Sequence, residues 1–107
     1  DTRFYEFMPQ LYPARDFKAL FQNNEASAKD LIARNVPMQG AYMIIAARAL
    51  GLDCGPMSGF ESEKINAEFF PDGRWKVNFI CNLGYGAKAG QHSRNPRLTF
   101  DEACVID

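Results

Sequence analysis

Ala49-Leu50-Gly51-Leu52-Asp53-Cys54-Gly55-Pro56-Met57-Ser58-Gly59-Phe60 is the stretch on which the fold turns. It reads as the last turn of a helix, a glycine stop, a tight loop and the start of a new helix. Gly51 supplies the left-handed residue that ends helices, and Leu52 can cover the last turn. Ser58 stands three residues before Glu61, the capping-box spacing, so a helix is predicted from about Gly59 to Phe70. Amides at a helix N-terminus have no intrahelical partner, and the helix dipole favours negative charge there. With the Ser58 hydroxyl capping amides further in, the backbone N–H groups of Ser58 and Gly59 stay free to face outward. Gly59 has no side chain, so a flat ring can approach closely. Pro56 holds the loop stiff. By itself this is a helix–loop–helix connection with an ordinary cap.

Upstream, residues 25–50 carry the strongest helical signal. Met38, Ala41, Tyr42, Ile45 and Ala49 recur at spacings of three and four and form one stripe. Met43, Ile44, Ala46 and Ala47 make the other faces apolar, so the helix is predicted to be buried nearly all round. Pro37 implies either a restart, with the proline in the first turn, or a kink. Residues 1–22 are crowded with Phe4, Tyr5, Phe7, Tyr12, Phe17 and Phe21, interrupted by Pro9 and Pro13. They read as short helical or irregular pieces, with a helix possible over Ala14–Phe21. These aromatics form either peripheral packing or a mobile aromatic wall over a ligand pocket.

Downstream, Pro71-Asp72-Gly73 reads as a turn. Trp75, Val77, Phe79, Cys81 and Leu83 alternate with polar residues, which is strand periodicity. Ile80 interrupts the polar face, and Gly84-Tyr85-Gly86 ends the strand. Residues 87–98 read as an extended polar tail. Thr99-Phe100-Asp101-Glu102 repeats the capping-box spacing and predicts a short terminal helix.

The bulk numbers narrow the class. The 107 residues amount to one domain or part of one, able to bury roughly 65% of the unfolded surface. Apolar residues make up 47% and charged residues 23%, an ordinary globular balance. A net charge of -1 argues against nucleic acid as a partner. The basic residues are scattered, apart from a loose group at Lys88, Arg94 and Arg97. No run is long enough to span a bilayer, and no signal peptide opens the chain. The odd, distant set Cys54, Cys81 and Cys104 suits free thiols in a reducing compartment, which points to the cytoplasm. With His92 as the sole histidine and no Cys-x-x-Cys, no zinc site is expected. Neither nucleotide-binding glycine motif is present.

The quoted stretch, Ala-Leu-Gly-Leu-Asp followed by Pro-x-x-Gly-Phe, resembles the helix and loop of the FMN-dependent nitroreductase family. In that family the loop's amides contact N5 and O4 of the isoalloxazine ring. The resemblance therefore assigns those amides to Ser58 and Gly59, with Pro56 and Met57 beside the ring. Ser93-Arg94-Asn95-Pro96-Arg97 is similar to the family's carboxy-terminal Arg-x-Pro element, whose arginine contacts the FMN phosphate. That makes Arg94 the candidate here, since a guanidinium fork suits a phosphate dianion.

Three further stretches are similar to the malonic semialdehyde reductases of pyrimidine breakdown: Met38-Gln39-Gly40-Ala41-Tyr42, Gly55 to Phe60, and Pro96 to Ala103. The opening Phe4-Tyr5-Glu6 fits as well.

The resemblance implies an α+β fold, with a central buried helix packed on an antiparallel-type sheet and an extended carboxy-terminal arm. It implies an NAD(P)H oxidoreductase that reduces a small aldehyde such as malonic semialdehyde by ping-pong hydride transfer, NADH or NADPH being the donor. It also implies a homodimer with intertwined arms, without nucleic acid or membrane as partners. No side-chain acid is identified. Tyr5, Tyr12 and His92 are the available proton donors. The chain opens Asp1-Thr2-Arg3 without methionine, and the family's amino-terminal phosphate motif has no counterpart here. Residues 1–107 are therefore expected to be the carboxy-terminal part of a single domain, binding FMN weakly alone. The rival expectations are a broad nitroreductase or quinone reductase, and a non-catalytic piece that keeps the family packing.

Overall fold

A computed structural model describes residues 1–106, with Asp107 and the Lys88 side chain outside the described residues. A 3-10 turn over Phe4–Phe7 leads into α1 (Met8–Leu11) and α2 (Phe17–Gln22). The long α3 (Glu25–Ala49), β1 (Asp53–Met57), α4 (Ser62–Phe69) and β2 (Ile80–Gly84) follow. A 3-10 turn at Lys88–Gly90, an extended stretch and α5 (Phe100–Ala103) complete the chain. β1 and β2 pair antiparallel, with Asp53 opposite Gly84 and Met57 opposite Ile80. The mixture of helices and one small antiparallel sheet agrees with the α+β expectation.

Local chemistry sets most element ends. The Asp16 carboxylate accepts from the Ala19 amide at 3.0 Å, and the Asn24 side chain accepts from the Ser27 amide at 3.0 Å. Each satisfies an orphan donor at a helix start. Gly51 takes φ 83°. The Leu52 amide reaches the Ala47 carbonyl and the Gly51 amide reaches the Arg48 carbonyl, both at 3.0 Å, the paired bonds of a Schellman stop. Gly73, at φ 68°, closes the predicted 71–73 turn. Around α5 the Glu102 carboxylate accepts from both the amide and the hydroxyl of Thr99, each at 2.9 Å, as its spacing predicts.

Four expectations are corrected. The helix over 25–49 is continuous, with Pro37 inside it, which removes the restart from the two alternatives. The lost bond falls on the Ala33 carbonyl four residues back. Second, α3 is not buried all round. Only Ala28, Gly40 and Ala47 are buried, while Met38, Tyr42 and Ile45 are 54%, 76% and 65% exposed. The predicted stripe is real, but it faces outward from these residues.

The third correction concerns the segment after Leu52, which is a strand rather than a loop. Ser58 also caps no helix, because α4 begins at Ser62 behind Glu61, whose carboxylate is held by Lys64 at 2.8 Å. Fourth, the second strand covers only Ile80–Gly84. Before it, the Val77 amide donates to the Asn66 side chain at 2.8 Å instead of to a ladder.

The chain is open in shape. Its radius of gyration is 18.1 Å, against about 13 Å for a compact chain of this length. Its accessible surface is 9153 Å², against roughly 6,000 Å² for a compact fold and roughly 17,500 Å² unfolded. Only about half of the unfolded surface is buried, short of the expected two thirds. Part of the excess lies on α3 and on the arm, where Leu98, Phe100 and Val105 are all exposed.

Candidate functional site

The candidate loop hangs between two structural commitments. At the start of β1, Asp53 is gripped from two sides. Its carboxylate accepts from the Gly86 amide at 2.8 Å and pairs with the Arg48 guanidinium from the last turn of α3. Arg48 also donates to the Leu52 carbonyl at 3.1 Å. The Gly86 amide, then the Arg48 guanidinium, hold the Asp53 carboxyl below the usual carboxylate range. One carboxylate thus ties the end of α3, the start of β1 and the turn after β2 together. Sequence reasoning passed over this residue. Its available signal was an acid five residues beyond a last-turn arginine, straddling a glycine stop.

At the other end of β1 the constraint is lifted. Pro56 pairs with Cys81, and proline contributes no N–H to a ladder. Pro56, Met57, Ser58 and Gly59 are all exposed. Among the described residues the one bond turning this corner runs from the Phe60 amide to the Ser58 carbonyl at 3.0 Å. No partner within the described residues takes the Ser58 or Gly59 amide. A methyl group built on Gly59 would meet nothing within 4 Å. The donors are therefore free because the chain leaves the sheet before α4 begins, not because a helix N-terminus presents them. The dipole contribution expected from such a terminus is absent at Ser58 and Gly59.

An exposed pair of main-chain donors beside an apolar Pro-Met edge can donate hydrogen bonds to acceptors on the rim of a planar heteroaromatic. The fit to an isoalloxazine edge is good in kind: donors for its N5 and O4, and open space over a glycine. Arg94 is exposed in the extended segment 91–99 and makes no ion pair among the described residues. Among the described residues no hydrogen bond or ion pair ties Arg94 to the Pro56–Gly59 loop.

The three candidate proton donors are also separated. Tyr5 lines a cavity of about 580 Å³ with Arg3, Lys29 and Lys76. Tyr12 packs edge-on against Phe17 at 5.1 Å. His92 is exposed on the arm. The aromatic segment is latched by Arg74, which pairs with Glu6 at 2.8 Å and Asp1 at 3.1 Å and lies 5.5 Å from the Phe7 ring centre. Glu6 is drawn below its ordinary value by that guanidinium. Packing of Phe4 on Phe21 at 5.2 Å supports the first of the two readings of these aromatics.

A family model described as "Nitroreductase family" matches residues 4–85, a span that includes the loop and stops short of Arg94. A Ralstonia nicotianae protein bearing the name "Putative NADH dehydrogenase/NAD(P)H nitroreductase" is 57% identical over 106 residues, covering 99% of this chain and 54% of the relative. A Rhodopseudomonas palustris protein of the same name is 55% identical over the same shares. One from Xanthomonas oryzae pv. oryzae is 50% identical over 107 residues, 100% of this chain and 55% of its own. The chain spans about half the length of these curated relatives.

Proposed function

Because the chain belongs to the nitroreductase family, we propose that it contributes the flavin-edge loop of an FMN-dependent NAD(P)H oxidoreductase. On this reading it is the carboxy-terminal half of one nitroreductase-like domain. The observation that supports it most is the open loop after β1, with two amides and a glycine face left free by the fold. FMN, when bound, supplies two-electron hydride chemistry that no side chain here offers.

The chain's own residues then act by position. The Ser58 and Gly59 amides hold the ring edge, and fixed backbone donors aimed at developing charge lower a barrier. Pro56 and Met57 line its apolar flank. Arg94 holds the phosphate once the arm is packed on a second copy. The exposed stripe on α3 and the apolar residues Leu98, Phe100 and Val105 support a homodimer with intertwined arms. An apolar surface of this extent marks an association face. We place the protein in the cytoplasm, with NADH or NADPH as donor. Among the described residues no helix is long and apolar enough to cross a membrane.

For the acceptor we propose a small aldehyde such as malonic semialdehyde, on the likeness of the Met38–Tyr42, Gly55–Phe60 and Pro96–Ala103 stretches. The relatives' nitroreductase names favour a second reading, a nitroaromatic acceptor, with a quinone as its companion. Steady-state NAD(P)H oxidation by the full chain with each acceptor separates the two. Ser58→Pro removes one donor, and flavin reduction is expected to slow by about tenfold or more. An unchanged rate in Ser58→Pro overturns the loop assignment.

A further inference from the structure

Two thiols sit where the flavin reading has no use for them. The register sets Cys54 opposite Leu83 and Cys81 opposite Pro56. Directly paired residues share a face of the sheet, so both cysteines lie on one face as diagonal neighbours. Both are half-buried and free. Cys54 donates to the Ile44 carbonyl at 3.8 Å, so α3 covers this face. Burial first, and then the neighbouring Cys81, push the Cys54 thiol up. Cys54 also lines an open cavity of about 340 Å³ with Asn82, Tyr85 and Gln91, and Cys81 is itself partly exposed.

Geometry decides what such a pair can hold. Diagonal neighbours have Cα atoms roughly 7–8 Å apart, beyond the roughly 6.8 Å limit for a disulfide. A cation bridging two thiolates in line, with metal–sulfur bonds of about 2.3 Å, tolerates sulfurs roughly twice that distance apart. Zinc takes four ligands, and among the described residues no group of three or more His, Cys, Asp or Glu comes together. Two soft ligands without a third suit a soft cation content with two-coordination.

We propose that Cys54 and Cys81 form a two-thiolate site for a soft monovalent cation of the Cu(I) type. Binding exchanges two thiol protons for one cation, leaving a bis-thiolate complex of net charge -1 and no change in oxidation state. The site is separate from the donors at Ser58 and Gly59 and stands whether or not they hold flavin.

The test is an anaerobic titration of the reduced full chain against the coloured Cu(I)–bicinchoninate complex, with proton release followed in weak buffer. Wild type is expected to withdraw one Cu(I) that depends on this pair, releasing two protons. Cys54→Ser and Cys81→Ser each lose that equivalent, while Cys104→Ser keeps it. Circular dichroism identifies any variant that has not folded, and Cys54→Ala or Cys81→Ala then replaces it. Retention of the equivalent in a folded Cys54 or Cys81 variant overturns the proposal, as does its loss in Cys104→Ser. A wild-type chain that captures no Cu(I), or one whose intact mass shows a Cys54–Cys81 disulfide in place of capture, also overturns it.

Discussion

The two ends of β1 differ in a way that its five residues conceal. At Asp53 the chain is held by a Schellman stop, an arginine and a distant amide. At Met57 it leaves the sheet with its next two amides unclaimed. The first end is over-determined and the second is under-determined, and they are only four residues apart. A binding loop needs both: donors free of internal partners, and a rigid platform that fixes where they point. The contrast teaches that the binding capacity of this region comes from the bonds it lacks, provided the neighbouring bonds hold.

Substitutions that loosen the platform should therefore cost stability, and those in the loop should not. The largest effect is expected at Gly40. A methyl group there would run into the Phe79 ring, one residue before β2, and overpacking of this kind costs about 1–3 kcal/mol. Urea denaturation of Gly40→Ala in the full chain measures it. Gly51→Ala comes next. It forces a side chain into φ 83°, at about 1–2 kcal/mol, and a loss within 0.3 kcal/mol of zero would show that the stop is not holding β1.

Asp53→Asn should lower the melting temperature less than Gly51→Ala does, and only above the acid range in which the carboxyl is protonated. The Asp53 carboxyl is held below its ordinary value of 3.8. Its contribution is thus complete above that value and is lost as pH falls through the lower folded value. The difference between wild type and Asp53→Asn should vanish in strong acid, and a pH-independent difference would break the assignment. The smallest effect belongs to the open end. Gly59→Ala adds a methyl group into empty space without a positive φ and should change stability by less than about 0.5 kcal/mol. A large loss there would mean the loop is packed, and the contrast would fail.

Legibility in the sequence followed locality. The Gly51–Leu52 stop, the 71–73 turn and the Thr99–Glu102 cap were readable because each is settled within a few residues. β1 was not, since Asp53, Gly55 and Pro56 are all poor strand formers; only pairing with Ile80–Gly84 makes them one. The same pairing removed Ser58 from the helix start that its spacing suggested, because the chain is still leaving the sheet there. The periodicity of α3 was read correctly and its burial was not, since periodicity reports which surface needs covering and says nothing about what covers it. The loop residues Pro56 to Gly59 were picked out on likeness, and the structure leaves them accessible. Arg94 rests on likeness alone, with no bond among the described residues drawing it toward the loop. Asp53 went unseen because its partner Gly86 lies 33 residues away.

Pro56 has a further consequence. A two-stranded ribbon leaves the outer rim of β1 bare, and such rims invite a passing strand to add on and seed fibres. Pro56, the fourth of its five residues, contributes no N–H and leaves β1 one donor short as a template, while the following amides remain open to small planar guests.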